Sequence, residues 1–251
     1  LGSAAVDPAA LVGPVAGGRL YRHSLRVGLA DVAPSGRARL DAVARWLQDA
    51  AWADVVDSGL DDDGIWIVRR VRLQVARFPR FDAPVAVETF CSGTGPLWAE
   101  RRSTLRVDGE AMVEAVALWV HLDPEGLRPR PMPEGFEAIY GPAADGRRVR
   151  ARLRHPPAPP DGAAAVAWRF RAADLDLAAH VNNAAYWEVV EEDLATGPEP
   201  SEPLDAEIEH RAPADAGDAT IVRDGDMRWI TGRDGELLAS IALGSPPAAT
   251  G

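Results

Sequence analysis

The segment Asp174-Leu-Asp176-Leu-Ala-Ala-His180-Val-Asn182-Asn183-Ala-Ala-Tyr186 concentrates the side chains of this sequence that can do chemistry. Its carboxylates and imidazole can take up and deliver protons. The Asn pair stands just ahead of Tyr186, Val189, Val190 and Leu194, which recur at helical spacing, and is an N-cap pattern. A helix begun there leaves its first N–H groups without intrahelical partners, at the positive end of the helix dipole, where a developing oxyanion can be held. Asp176 and His180 beside such an oxyanion site fit acyl transfer. Asp and Asn also shape turns and cap helices with no further role. His180 and Tyr186 at fixed offsets tip the reading toward chemistry.

These residues need a strand before them and a helix after them. Ala165–Arg171 alternates as a strand, and the helix is expected over Asn183–Leu194 with a stop at Gly197–Pro198. Strands then follow at Ala206–Arg211, Ala219–Arg223, Asp226–Thr231 and Leu237–Leu243, with hairpin turns at Asp224–Gly225 and Asp234–Gly235. The leading part of the chain has the same order. A strand over Leu20–Val32 and a turn at Pro34–Gly36 precede a helix over Leu40–Val56, built on Leu40, Val43, Ala44, Leu47, Ala51 and Val55 and ended by Ser58–Gly59. Ile65–Phe78, Val85–Phe90, Trp98–Val107 and Ala111–Leu122 are strands.

Arg26, Val27 and Asp31 stand 143 residues before Arg169, Phe170 and Asp174, which points to a duplication. On that offset Asp176 falls on Ala33 and His180 on Arg37. One half then carries the chemistry and the other shapes a pocket. The fold class expected is α+β, each half a long helix wrapped by a curved antiparallel sheet. The expected organisation is a flexible lead-in over 1–18, a first unit over 19–140, a linker over 141–162, a second unit over 163–244 and a tail over 245–251. Prolines from Pro129 to Pro160 argue for extended structure before and through the linker.

Composition narrows the function. The 27 basic and 38 acidic residues give a net charge of −11, which argues against nucleic acid as a partner. Every basic residue is Arg, so lysine Schiff-base chemistry is excluded. A single cysteine, Cys91, excludes a disulfide within the chain and reads as a small structural residue in a reducing, cytoplasmic setting. No apolar run is long enough for a membrane-spanning helix, and Pro8–Gly18 lacks the basic lead of a signal peptide. His23, His121, His155 and His210 lack metal-ligand spacing, so neither a metal nor another cofactor is expected. Arg148, Arg150, Arg152 and Arg154 would share one side of an extended strand. That stripe suits an acidic partner or a phosphate, and equally a solvated edge protected by charge. Trp46, Trp52, Trp66, Trp98 and Trp187 are candidates for an acyl tunnel, although core packing accounts for most tryptophans of this kind.

The segment DLDLAAHVNNAAYW resembles the DLDxNxHVNNxxY signature of the acyl-ACP thioesterases, the double hot-dog enzymes of plants and bacteria. The block IWIVRRVRLQVARFPRFDAPVAVETFCSGTGPLWAERR is similar to that family's run of strands, and the order of segments matches from about 19 to 244. The resemblance implies tandem hot-dog units and hydrolysis of a fatty acyl thioester of acyl carrier protein. It assigns the essential carboxylate to Asp176, as general base or as nucleophile, and the family's histidine to His180. Backbone N–H groups around Val181, Asn182 and Asn183 would hold the oxyanion, and the first half would take the acyl chain. Glu209 and His210, on the strand that lines the family's cleft, are supporting candidates. Arg148, Arg150 and Arg152 are the candidates for docking the carrier. The sequence departs from the signature at Ala178, where the family has Asn, and at Pro213–Ala214, where it has a Glu–Cys pair. The alternatives are a hot-dog thioesterase acting on acyl-CoA and an acyl-binding protein with little turnover. A monomer and a homodimer are both compatible with a tandem arrangement.

Overall fold

The computed structural model describes residues 11–126, 128–196 and 202–244. The expected start of the lead-in, the helix stop at Gly197–Pro198 and the tail lie outside the described residues. One ten-stranded antiparallel sheet organises the molecule. Its strands are β1 (Tyr21–Arg26), β2 (Ile65–Val75), β3 (Pro84–Thr94), β4 (Trp98–Val107), β5 (Glu110–Leu122), β6 (Ala164–Phe170), β7 (Leu204–His210), β8 (Gly217–Asp224), β9 (Met227–Gly232) and β10 (Leu237–Gly244). They lie in the order β1-β3-β4-β5-β2-β7-β10-β9-β8-β6. Read from either edge, each half is first strand, third, fourth, fifth, second, so the halves are related by an approximate two-fold. They meet where β2 pairs with β7, Val71 opposite Ile208.

A long helix packs on one face of the sheet in the first half: α1 (Leu40–Ser58), closed by Gly59 in the left-handed region at φ 67°. In the second half a short 3-10 turn (Ala185–Trp187) leads into α3 (Glu188–Thr196). Strand residues alternate between faces. Val71, Leu73, Ala206 and Ile208 point toward the helices and join Val43, Ala44, Trp187 and Val190 in one core. Arg70, Arg72, Glu207 and Glu209 occupy the opposite face. Residues 147–155 cross that face as an extended strap, which Glu209 holds by accepting the N–H groups of Arg154 and His155. These are two hot-dog units in tandem, as expected.

Three expectations need correction. The first strand ends at Arg26, because a 3-10 turn at Leu29–Asp31 interrupts it. The expected helix at Asn183 starts two residues later, as the 3-10 turn. A further helix, α2 (Phe136–Ala144), stands where prolines argued for extended chain. Burial of Phe136, Tyr140, Ala143 and Ala144 outweighs the local proline signal there.

Candidate active site

The segment carrying Asp176 and His180 is a tight hairpin. Leu175 bridges Val181, the Asp176 N–H donates to the His180 carbonyl at 2.9 Å, and Ala179 takes a left-handed φ of 59° at the turn. Asp176 is exposed, and its Oδ1 accepts the Ala178 N–H at 2.9 Å. Asp174 is buried, and its carboxylate accepts the Arg171 N–H at 2.7 Å and pairs with the Arg171 guanidinium. Asn182 Oδ1 accepts the Ala184 N–H at 2.8 Å, an Asx turn just ahead of the 3-10 turn; the N-cap position itself is Ala184, so neither Asn182 nor Asn183 is the expected cap. His180 is half-buried, and its imidazole has no hydrogen-bond partner among the described residues.

The first half repeats this hairpin at the 143-residue offset. Val32 bridges Ala38, the Ala33 N–H donates to the Arg37 carbonyl at 2.9 Å, and Gly36 takes the left-handed φ at 82°. The duplication read from three residues therefore extends to individual backbone hydrogen bonds.

Those bonds narrow the oxyanion donors. The Val181 N–H donates to Ala214 O and the Asn182 N–H to Asp174 O, both at 2.8 Å. Carbonyls occupy both, which removes Val181 and Asn182 as backbone oxyanion donors in this arrangement. Only the Asn183 N–H of the three has no partner among the described residues.

Two cavities meet at α1. The larger, about 320 Å³, lies in the first half between α1, α2 and the sheet and is mostly apolar. Trp66 stacks on Phe136 with ring centroids 5.7 Å apart, and Phe136 packs on Tyr140 at 5.0 Å, forming an aromatic wall. Trp52, 72% exposed, stands at the rim. The smaller cavity, about 30 Å³, lies between the halves, and its lining includes Gln48, Ser103, Trp119, Asn183, Trp187 and His210. Gln48, Arg101 and Trp119 line both cavities.

Models of the acyl-ACP thioesterase N-terminal and C-terminal domains match residues 18–140 and 160–230. The chain belongs to the acyl-ACP thioesterase family. Membership places it among the thioester hydrolases. An uncharacterized protein of Mycobacterium tuberculosis is 26% identical over 215 residues, covering 85% of this chain and 86% of that one. The oleoyl-acyl carrier protein thioesterase 2 of Arabidopsis thaliana is 24% identical over 189 residues, covering 66% of this chain. The chain spans 52% of that plant protein's length. In fold, it resembles the 12:0-ACP thioesterase of Umbellularia californica with a TM-score of 0.70 at 20% identity, covering 89% of this chain and 96% of that one.

Within this thioesterase fold the two supporting candidates separate. Glu209 and His210 are adjacent on β7, so they face opposite ways. Glu209 lies on the strap side and His210 on the cavity side. His210 is buried, Tyr186 packs edge-on against it at 5.0 Å, and its Nε2 has no partner. Burial, helped by the nearby Arg69 charge, pushes its pKa down to about 3, so the imidazole is neutral. Cys91 lines the larger cavity, and burial pushes its thiol up to about 11, which suits a structural residue rather than a nucleophile.

Arg148, Arg150 and Arg152 are all exposed, with Val149 buried between the first two. The alternation expected of them holds, but the strap lies on the sheet face opposite the helices and cavities. Beneath it, His155, Glu207 and Glu209 bring metal-ligand atom types within 4.8 Å of one another. Arg70, Arg154 and Arg211 supply the positive charge at that cluster. Of the tryptophans singled out for a tunnel, Trp52 and Trp66 line the larger cavity, Trp46 and Trp187 join the core, and Trp98 donates to Val149 O at 2.9 Å. Trp119, Gln48 and the free Asn183 N–H complete the cavity walls. No helix is long and apolar enough to cross a membrane among the described residues.

Proposed function

We propose that this enzyme hydrolyses fatty acyl-ACP to a free fatty acid and the carrier thiol. The observation that carries the reading is the apolar cavity of about 320 Å³ in the first half, which shares walls with a smaller cavity lined by Asn183 of the signature segment. The acyl chain lies against Trp66, Phe136 and Tyr140, with its thioester near α1 and Asn183. Asp176 acts as general base on water or attacks the carbonyl itself, and His180 orients the carboxylate or assists proton transfer. The Asn183 N–H stabilises the oxyanion. Neither Asp176 nor His180 lines the two cavities, and Asp176 sits in an exposed hairpin with its Oδ1 on the Ala178 N–H, so this role requires the thioester to extend from the Asn183 cavity to that hairpin.

The plant relatives named for acyl-ACP support the carrier as donor. Burial of the chain in a hydrophobic cavity supplies binding at about 0.8 kcal/mol per methylene. The test compares kcat/KM for acyl-ACP and acyl-CoA of one chain length, with binding of each measured alongside. At least tenfold preference for acyl-ACP is expected. Equal or better turnover of acyl-CoA would transfer the activity to CoA esters, and binding without turnover would make the protein an acyl-binding protein.

A further inference from the structure

Besides their side chains, the two hairpins differ in the partner of one backbone N–H. In the first half the Leu40 N–H, the counterpart of the Asn183 N–H at the 143-residue offset, donates to Glu191 Oε1 at 2.7 Å. Arg37 Nη2 donates to the other oxygen of that carboxylate at 2.8 Å. A negatively charged oxygen is therefore bound at the backbone position where the second half would bind an oxyanion. The counterpart of Glu191 on α1 is Gln48, at the same offset. Gln48 and Asn183 line the same small cavity, and neither the Gln48 amide nor the Asn183 N–H has a partner among the described residues. Two buried polar atoms on residues lining it, His210 Nε2 and Trp119 Nε1, are also unpaired. A cavity of about 30 Å³ with several polar neighbours is large enough for a water or a carbonyl oxygen.

We propose that Gln48 is a catalytic residue whose side-chain amide shares the thioester oxygen with the Asn183 N–H. The inference rests on the thioesterase reading. Attack of water, its proton taken by Asp176, or of the Asp176 carboxylate itself forms a C–O bond and moves the carbonyl π pair onto the carbonyl oxygen. The two N–H donors hold that oxygen until the pair returns, the C–S bond breaks and the carrier thiolate leaves to take a proton. On the carboxylate route a water then hydrolyses the mixed anhydride to free fatty acid and Asp176. A neutral amide can donate here, whereas a carboxylate would accept the Asn183 N–H itself, as Glu191 does with Leu40. In the first half the matching N–H is thus already taken by an internal ion pair, Glu191 with Arg37.

Gln48→Glu should therefore convert the second site into a copy of the first. Removing one oxyanion donor costs on the order of 10²–10³ in kcat. Gln48→Glu should lose at least that much with little change in KM, keep or raise its Tm, and regain activity as falling pH protonates the new carboxyl. Gln48→Ala should lose a similar factor without recovery at low pH. The Asn183 amide proton resonance should move downfield in Gln48→Glu as the introduced carboxylate ionises, a readout that needs no turnover. Folded Gln48→Glu and Gln48→Ala proteins with kcat within threefold of wild type would overturn the proposal, as would an Asn183 resonance that ignores the carboxylate. Absence of wild-type turnover on any acyl thioester, with the resonance responding, would sink the thioesterase reading and the role in catalysis while leaving the pairing of Gln48 with Asn183.

Discussion

The Glu191 carboxylate accepts the Leu40 N–H at 2.7 Å, reaching from α3 of one half to the start of α1 in the other. The two halves thus complete each other's hairpin sites. Gln48, the counterpart of Glu191 on α1, lines one cavity with Asn183 of the second-half hairpin, and His210 Nε2 and Trp119 Nε1 on residues lining that cavity are unpaired.

Asp176 and Asp174 should behave differently when each is changed to Asn. Asp176 makes one turn contact, so Asp176→Asn should keep its Tm within a few degrees while kcat falls by about 10²–10⁴, the worth of general-base assistance. Asp174 is buried against Arg171, so Asp174→Asn should lose about 1–2 kcal/mol of stability with a smaller effect on kcat. His180→Ala should reduce kcat by an intermediate factor. Thermal melts and steady-state kinetics on the same preparations check all three. Near-normal turnover by Asp176→Asn would remove Asp176 from the chemistry.

The larger cavity should set chain length. Ala99 stands in its wall on β4, and Ala99→Phe would fill part of it. A missing methylene's worth of space changes specificity by about 10–200-fold. The ratio of kcat/KM for long over short acyl chains should therefore fall at least tenfold, at a packing cost of about 1–3 kcal/mol. A uniform loss across chain lengths would place the acyl chain elsewhere.

His210 should make the fold acid-sensitive. Its pKa is near 3 when folded and 6.5 as an ordinary histidine, so between those values the unfolded chain holds the extra proton. Stability from this group is complete above about pH 6.5 and declines as pH falls toward 3, by at most about 1.4 kcal/mol per pH unit. Denaturant melts at pH 7, 6, 5 and 4 should show this slope in wild type and a shallower one in His210→Phe. Identical slopes would mean that His210 is not buried in neutral form.

The arginine strap should serve stability more than docking. Arg150 and Arg152 lie on the face away from Trp52 and the cavity rim. Arg150→Glu with Arg152→Glu should leave KM for acyl-ACP within about twofold at low and moderate salt. A strongly salt-dependent rise in KM, with activity on a carrier-free thioester intact, would assign the carrier to this face instead.

Much of this was legible in the residues. The Asp174–Tyr186 segment announced an Asx-rich turn ahead of a helix, because Asx chemistry and helical spacing act locally, whereas its Leu175–Val181 hairpin bridge was not legible. The 143-residue offset announced the paired halves. What stayed hidden was set by tertiary placement. Glu209 and His210 read as one supporting pair, yet alternation along β7 sends them to opposite faces. Phe136 and Tyr140 form α2 because a cavity wall buries them, against a local proline signal. Gln48 looks like an ordinary polar position on α1, since its partner lies in the other half. Carrying the offset eight residues past Leu40 pairs it with Glu191 and would have marked it.

The most direct measurement is a single-turnover experiment with enzyme in excess over a radiolabelled acyl-ACP, following free fatty acid and carrier thiol together. The expected result is stoichiometric appearance of both at one rate, slowed at least a hundredfold in Asp176→Asn. Acyl-ACP that binds to the wild-type enzyme and is recovered with its thioester intact would contradict hydrolysis as the function of this protein.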